Sequence, residues 1–368
     1  MNQGYALRHL RDIMGWNFEE DNQETRWLRM MAGFKYDSYR DFWAGARFVE
    51  SLLKWLQQFD PDDRRKAYDL IRHKLIFLSF TEIEHLVRRT RPVYVHNVLL
   101  NRVSLKTSIP KYLVWAKPET KKYYDDTLAR TLFIGLSDGA RIDGFRRASA
   151  GIISNEQVVF NYELSDDKWK DTLSELRKRT GDSEAKFEVL FLIDDFTASG
   201  KSLLRCEESE WKGKLTKFAV RFREKNEMFS DSCSIAVHHY IGTTKAKENI
   251  ERLLKEASTP KGPPKWFPTP VVTTYDLLLN LDVSLTRTQD RELDALLDKY
   301  YDPAIITKSL EVGGTDVKFG FANCGLPLIL EHNTPNNSIG LLWAETPQTS
   351  VSSNRKMHAL FRRRQRHF

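Results

Sequence analysis

The chain carries only three cysteines in 368 residues, Cys206, Cys233 and Cys324. They are far apart and odd in number, which excludes a disulfide framework and offers no zinc knuckle. Free or buried thiols are expected. No apolar run approaches the ~20 residues needed to cross a bilayer. The opening MNQGYALRHLRDIMGWNFEED lacks the apolar centre of a signal peptide, so a cytoplasmic location is expected. There is no internal repeat, no heptad array and no long low-complexity tract beyond a basic end. HExxH is absent, and no Ser-His-Asp pattern singles out a hydrolase triad.

What is present is a globular composition, 41% hydrophobic and 29% charged, long enough for two domains or one enlarged domain. The net charge is +7, and Asn354 to Phe368 (NRKMHALFRRRQRHF) holds six Lys/Arg and no acid, leaving +1 elsewhere. The basicity therefore belongs to this tail, which is either a solvated end or a contact for nucleic acid or an acidic partner protein.

Residues 1–105 read as a helical region. In DFWAGARFVESLLKWLQQF, Phe42, Ala46, Val49, Leu52, Leu53, Leu56 and Phe59 recur at three- and four-residue spacing. Asp60-Pro61-Asp62-Asp63 supplies an N-cap, a first-turn proline and acids for the next helix. Thr81 with Glu84 fits a capping box for a third.

From Thr131 the pattern changes. TLFIGL, QVVFNYEL, EVLFLI, SIAVHHYI and PVVTTYDLLL are short apolar runs separated by helical segments such as DDKWKDTLSELRKR and KAKENIERLLKEA. Strands alternating with helices predict an α/β fold, a parallel sheet with flanking helices over 106–345, with a basic tail over 346–368. STPKGPPKWFPTP (258–270) is too rich in proline for a helix or central strand and reads as a surface loop.

Ligands of such sheets sit at the carboxyl ends of the strands, and FEVLFLIDDFTASGKSLLR (187–205) ends a buried strand in charge. Asp194 and Asp195 are too costly to bury unpaired, so the solvent-facing strand end is expected for both. There they can accept from a vicinal diol or hold a divalent cation through water. They point in opposite directions and need not share one role. Thr197, Ala198, Ser199, Gly200, Lys201 and Ser202 then form a small-residue loop, with a helix expected to begin at Leu203-Leu204. Converging backbone N–H groups, hydroxyls and a helix N-terminus suit a phosphate. A nucleoside-triphosphate P-loop needs glycine five residues before Gly200, where Asp195 stands.

Upstream, FIGLSDGARIDGF runs another strand into Ser137, Asp138, Gly139, Ala140 and Arg141. Arg141 can pair with a pyrophosphate, although Ser-Asp-Gly is also a common tight turn. Downstream, His332-Asn333-Thr334-Pro335-Asn336-Asn337 interrupts two apolar runs. Asn333, Asn336 and Asn337 form either a turn or a polar loop lining a pocket. His238 and His239 are adjacent on a strand and face opposite ways, which does not suit a shared metal.

The DDFTASGKS stretch resembles the phosphoribosyl pyrophosphate (PRPP) signature of type I phosphoribosyltransferases. Together with the helical first third, the SDGAR loop and the HNTPNN…LLWA segment, residues 35–345 resemble a divergent phosphoribosyltransferase-like family of bacterial conflict and antiviral systems, including effectors that accompany retrons. The resemblance implies that Asp194 and Asp195 address the ribose hydroxyls and magnesium. It assigns Thr197 to Ser202 to the 5′-phosphate and Ser137 to Arg141 to the pyrophosphate. It implies substitution at ribose C1′, a role in antiphage defence and a protein partner that restrains the activity. The rival expectation is a non-catalytic PRPP- or nucleotide-binding sensor or assembly subunit.

Overall fold

The computed structural model describes residues 3–40, 42, 45, 47–161, 163, 165–280, 284–285, 290–305, 316–347 and 356–363. Two compact units emerge, Met1–Ile83 with Asn280–Phe368, and Glu84–Leu279. This division falls elsewhere than the expected boundaries at 105 and 345, because the end of the chain returns to the first unit. Among the described residues, no helix is long and apolar enough to cross a membrane.

The first unit is mainly helical. The periodicity over 41–59 appears as the helix Phe48–Gln57; of residues 41–46, only Phe42 and Gly45 lie among the described ones. Pro61 opens the helix Pro61–Asp69 as its charge pattern requires, although the Asp60 side chain makes no cap bond. The helical reading of 1–105 misses strand β1 (Ile76–Leu78). The expected Thr81–Glu84 capping box is also displaced. The helix starts at Phe80, and Ser79 and Glu82 bond each other's backbone N–H groups instead.

The basic tail is not a solvated end over its described part. Met357, Leu360 and Phe361 are buried, because MHALF places apolar groups among the charges. Phe361 lies in an aromatic cluster, 5.2 Å from Tyr39 and 5.8 Å from Phe42, Phe48 and Phe77, centroid to centroid. Residues 364–368 lie outside the described ones.

The second unit contains β2 (Thr131–Gly135), β3 (Val158–Val159), β4 (Phe187–Thr197), a hairpin of β5 (Arg205–Glu207) and β6 (Glu210–Lys212), β7 (Phe229–Thr243) and β8 (Val271–Leu279). Five of these form one parallel sheet in the order β3-β2-β4-β7-β8. All five apolar runs supply its strands, though QVVFNYEL contributes only Val158–Val159. Leu190, Leu192, Ile235 and Val237 pack with Phe218, Phe222, Ile250 and Leu253 on one face. On the other, Phe133 meets Phe145 at 5.1 Å and His238 meets Tyr94 at 4.5 Å. Burial on both faces explains why these strands read as continuous apolar runs. The loop 258–270 contains no helix or strand and anchors itself through buried Trp266 and Phe267.

The remaining strand, β9 (Leu328–Leu330), belongs to the first unit and pairs in parallel with β1.

Candidate functional site

The sheet order reverses direction between β2 and β4, and their carboxyl ends define a topological switch point, where open parallel sheets bind ligands. Ile193 of β4 lies opposite Gly135 of β2, so the loop after β2 runs directly beside Asp194 and Asp195.

The two aspartates differ in burial, yet both reach Ser137, whose Oγ lies 3.5 Å from Asp195 Oδ1 and closer to Asp194. Contrary to expectation, Asp194 is not at a solvent-facing end: it is 1% exposed. It is tolerated because it is paired. Lys214 Nζ lies 2.5 Å from Oδ2 and Ser137 Oγ donates to Oδ1 at 2.5 Å. Burial pushes the Asp194 carboxyl up, opposed by the Lys214 ammonium and reinforced by Asp195. Asp195 is only partly buried and points toward the 137–141 loop.

Three contacts hold that loop. Ser137 bonds Asp194. A Cβ at Gly139 would stand 2.1 Å from Asp195 Oδ2, so only glycine allows the backbone this close. The fully buried Tyr240 donates its hydroxyl to Ala140 O at 2.8 Å. Arg141 adopts the left-handed conformation with φ +45°, a strained state for a non-glycine residue that the surrounding contacts must sustain. Its Nη1 lies 3.6 Å from Glu84 Oε1. Asp138 opens the short 3-10 turn Asp138–Ala140.

Tyr240→Phe leaves the Ala140 carbonyl without its donor and is expected to lower stability by about 1–2 kcal/mol. A urea midpoint equal to that of the parent would show that the bond contributes nothing.

The second loop differs from expectation. No helix follows at Leu203-Leu204; the β5–β6 hairpin intervenes, and the helix begins at Lys214. Its first N–H groups are claimed by the loop itself, Lys214 N donating to Ser202 O and Leu215 N to Leu203 O. The N-terminus of this helix thus lies against the loop, with two of its first N–H groups spent on loop carbonyls. Thr197, Ala198, Ser199 and Gly200 are buried, while Lys201 and Ser202 are exposed. Thr243 Oγ1 donates to Ala198 O at 2.6 Å and Asn249 Nδ2 to Ser199 O at 2.9 Å. Gly200 has φ +77°, and a Cβ there would stand 2.8 Å from Ile250 Cγ1. Among the described residues, the backbone N–H groups of Ser199, Gly200 and Ser202 donate to no internal partner, and Thr197 Oγ1 is buried and unpartnered. An anion would meet these donors.

Lys214 was not legible as a site residue. It lies 20 positions after Asp194, and only the hairpin brings it back. His239, in register with Asp194, is fully buried, stacks on Tyr275 at 5.6 Å and has no partner for either ring nitrogen. Burial and the Lys214 charge push it down to about 3, which keeps the ring neutral. His238 faces the other way, to Thr90 at 3.3 Å and Thr274 at 3.0 Å.

The asparagine loop lies in the first unit. Asn333 N returns to Leu330 O, Asn336 O accepts from Phe321 N, and Asn337 Nδ2 donates to Phe321 O at 3.0 Å. These bonds form a turn after β9.

No group of three or more His, Cys, Asp or Glu suited to a metal is found among the described residues. Residues 52–363 match the PRTase-CE family. Neither the curated proteins nor the solved structures give a match.

Proposed function

The chain belongs to the PRTase-CE family, which is phosphoribosyltransferase-like, and on that premise we propose that its second unit binds PRPP or a related ribose-phosphate or nucleotide with magnesium and acts at ribose C1′. The observation that carries this reading is the switch-point constellation: a loop pinned against two aspartates on one side and a buried loop with unclaimed N–H groups on the other. Substitution at C1′ passes through an oxocarbenium-like state, so positioning and electrostatics can do most of the work.

In this reading the N–H groups and hydroxyls of 197–202 hold the 5′-phosphate, and loop 137–141 with Arg141 meets the pyrophosphate. Asp195 takes the ribose hydroxyls and faces the developing positive charge. Asp194 has a different part. Committed to Lys214 and Ser137, it fixes the loop rather than the substrate.

Magnesium is commonly held by one or two carboxylates together with substrate phosphates and water. Asp195 fits as the protein's ligand, whereas Asp194 does not while Lys214 occupies it. When bound, the ion would neutralise charge on the leaving pyrophosphate.

The resemblance to effectors of bacterial conflict systems supports a role in antiphage defence, retron-associated, with a partner protein restraining toxic transfer onto, or depletion of, a metabolite. A sensor reading has its own support. Asp194 is ion-paired with Lys214 and His239 is buried and neutral, so neither is free to act as a general base.

The test is a thermal shift with PRPP and magnesium alongside pyrophosphate release. The parent should be stabilised and release pyrophosphate, while Asp195→Asn should bind about tenfold more weakly, ~1.4 kcal/mol, and retain its melting temperature without ligand. Stabilisation without release favours the sensor, and no shift at any magnesium level overturns the ligand assignment. Expressed without its partner, the parent should arrest bacterial growth and Asp195→Asn should not; equal growth would remove the effector role.

A further inference from the structure

The second unit exposes a group of large apolar side chains within one short stretch. Leu105, Tyr112, Leu113 and Trp115 are 85%, 81%, 39% and 47% exposed. Surface apolar residues scattered singly need no explanation, but a cluster does. Tyr112 and Trp115 lie on the 3-10 helix Lys111–Ala116, in which residues three apart eclipse. The two rings therefore project from one face, separated by roughly 6 Å of axial rise.

The helix is anchored at Val114 and Trp115. Val114 between them is fully buried, and Thr120 Oγ1 donates to Val114 O at 2.6 Å and to Lys117 O at 2.9 Å. Trp115 lies parallel to His96, with centroids 5.7 Å apart and planes at 8°, and abuts Tyr124 at 4.8 Å.

The charge along this stretch is mostly positive, with Glu119 inside it and Asp125 and Asp126 just beyond it. From Leu105 to Lys122 the exposed charged residues are Lys106, Lys111, Lys117, Lys121 and Lys122 against Glu119. Lys121 is paired with Asp125 at 2.6 Å; the other four lysines form no ion pair among the described residues. Lysine is depleted in protein–protein interfaces, whereas fixed aromatic faces surrounded by lysine are how sequence-tolerant proteins grip single strands.

We propose that this surface binds single-stranded nucleic acid, bases stacking on Tyr112 and Trp115 and phosphates meeting Lys106, Lys111, Lys117 and Lys122. The proposal uses none of the residues of the basic tail, of which Met357, Leu360 and Phe361 are buried, and it does not depend on the ribose-phosphate reading.

The test is fluorescence anisotropy of the full chain with labelled 16-nucleotide oligo-dT and oligo-U between 50 and 200 mM salt. Tyr112→Ala, a change at an exposed side chain, should weaken binding about tenfold, since one stacked base contributes ~1–3 kcal/mol. Lys111→Gln/Lys117→Gln should flatten the log–log salt slope by about 1.4, at ~0.7 per phosphate contact. Preference for oligo-dT or oligo-U tells which strand the surface takes. Absence of binding at 50 mM salt overturns the proposal, leaving an acidic protein as the fitting partner. Binding that survives Tyr112→Ala and the lysine pair but is lost in Arg364→Ala/Arg366→Ala also overturns it, because the tail is then the contact.

Discussion

Lys214→Met should lower the stability of the second unit by about 3–5 kcal/mol at neutral pH, the range for removing one partner of a buried ion pair. The cause is what remains: Asp194 at 1% exposure, with Ser137 as a donor and no cation. Burial already pushes its carboxyl up against the opposing pull of Lys214, and the substitution removes that pull. The pH dependence follows. An acid whose folded pKa lies above its unfolded value of ~3.9 retains its proton in the folded chain after the unfolded chain has released it. Stability therefore falls as pH rises through that window and levels off once Asp194 ionises in place.

Urea unfolding from pH 4 to 8 should show the deficit small at the acid end and growing toward neutrality. Asp194→Asn/Lys214→Met should recover much of it by removing the stranded charge. A deficit under about 1 kcal/mol, as for an exposed pair, or one independent of pH, would show that Lys214 does not support Asp194.

Gly139→Ala should cut pyrophosphate release by about 10²-fold while leaving most of the fold intact. The new Cβ would stand 2.1 Å from Asp195 Oδ2 and 2.6 Å from its Cγ. Either the carboxylate rotates away or the 137–141 loop lifts; both separate the loop proposed to meet the pyrophosphate from the residue proposed to take the ribose. A displacement of about 1 Å can cost 10²-fold in rate, and that is the loss expected in pyrophosphate release. The overpacking itself should lower stability by about 1–3 kcal/mol. Release within threefold of the parent would mean that the approach of Gly139 to Asp195 is incidental.

The parallel sheet was legible because strands buried on both faces leave continuous apolar runs between amphipathic helices, and five such runs supply the five strands. The two loops at the switch point were legible for a related reason. A buried strand that stops abruptly in Asp-Asp or Ser-Asp-Gly has reached its carboxyl end, and these two ends lie side by side in the sheet. The helix expected at Leu203 failed because two leucines in a turn satisfy the same local pattern as a helix start. What they do is pack inward, both nearly fully buried, while the chain leaves through a hairpin. The tail misled for a similar reason: charge dominates its composition, but Phe361 at 0% exposure decides its position.

By itself, then, the sequence determined the alternation of strands and helices, the places where the strands end and the residue types placed there, all properties of neighbours along the chain. Only the tertiary structure decided that Asp194 is neutralised by Lys214, that Tyr240 from β7 holds Ala140 and that Gly139 abuts Asp195. Met357, Leu360 and Phe361 likewise complete the core of the first unit. Each joins residues from 20 to more than 300 positions apart. Local periodicity contains no information about such pairs, because sheet order and packing select them.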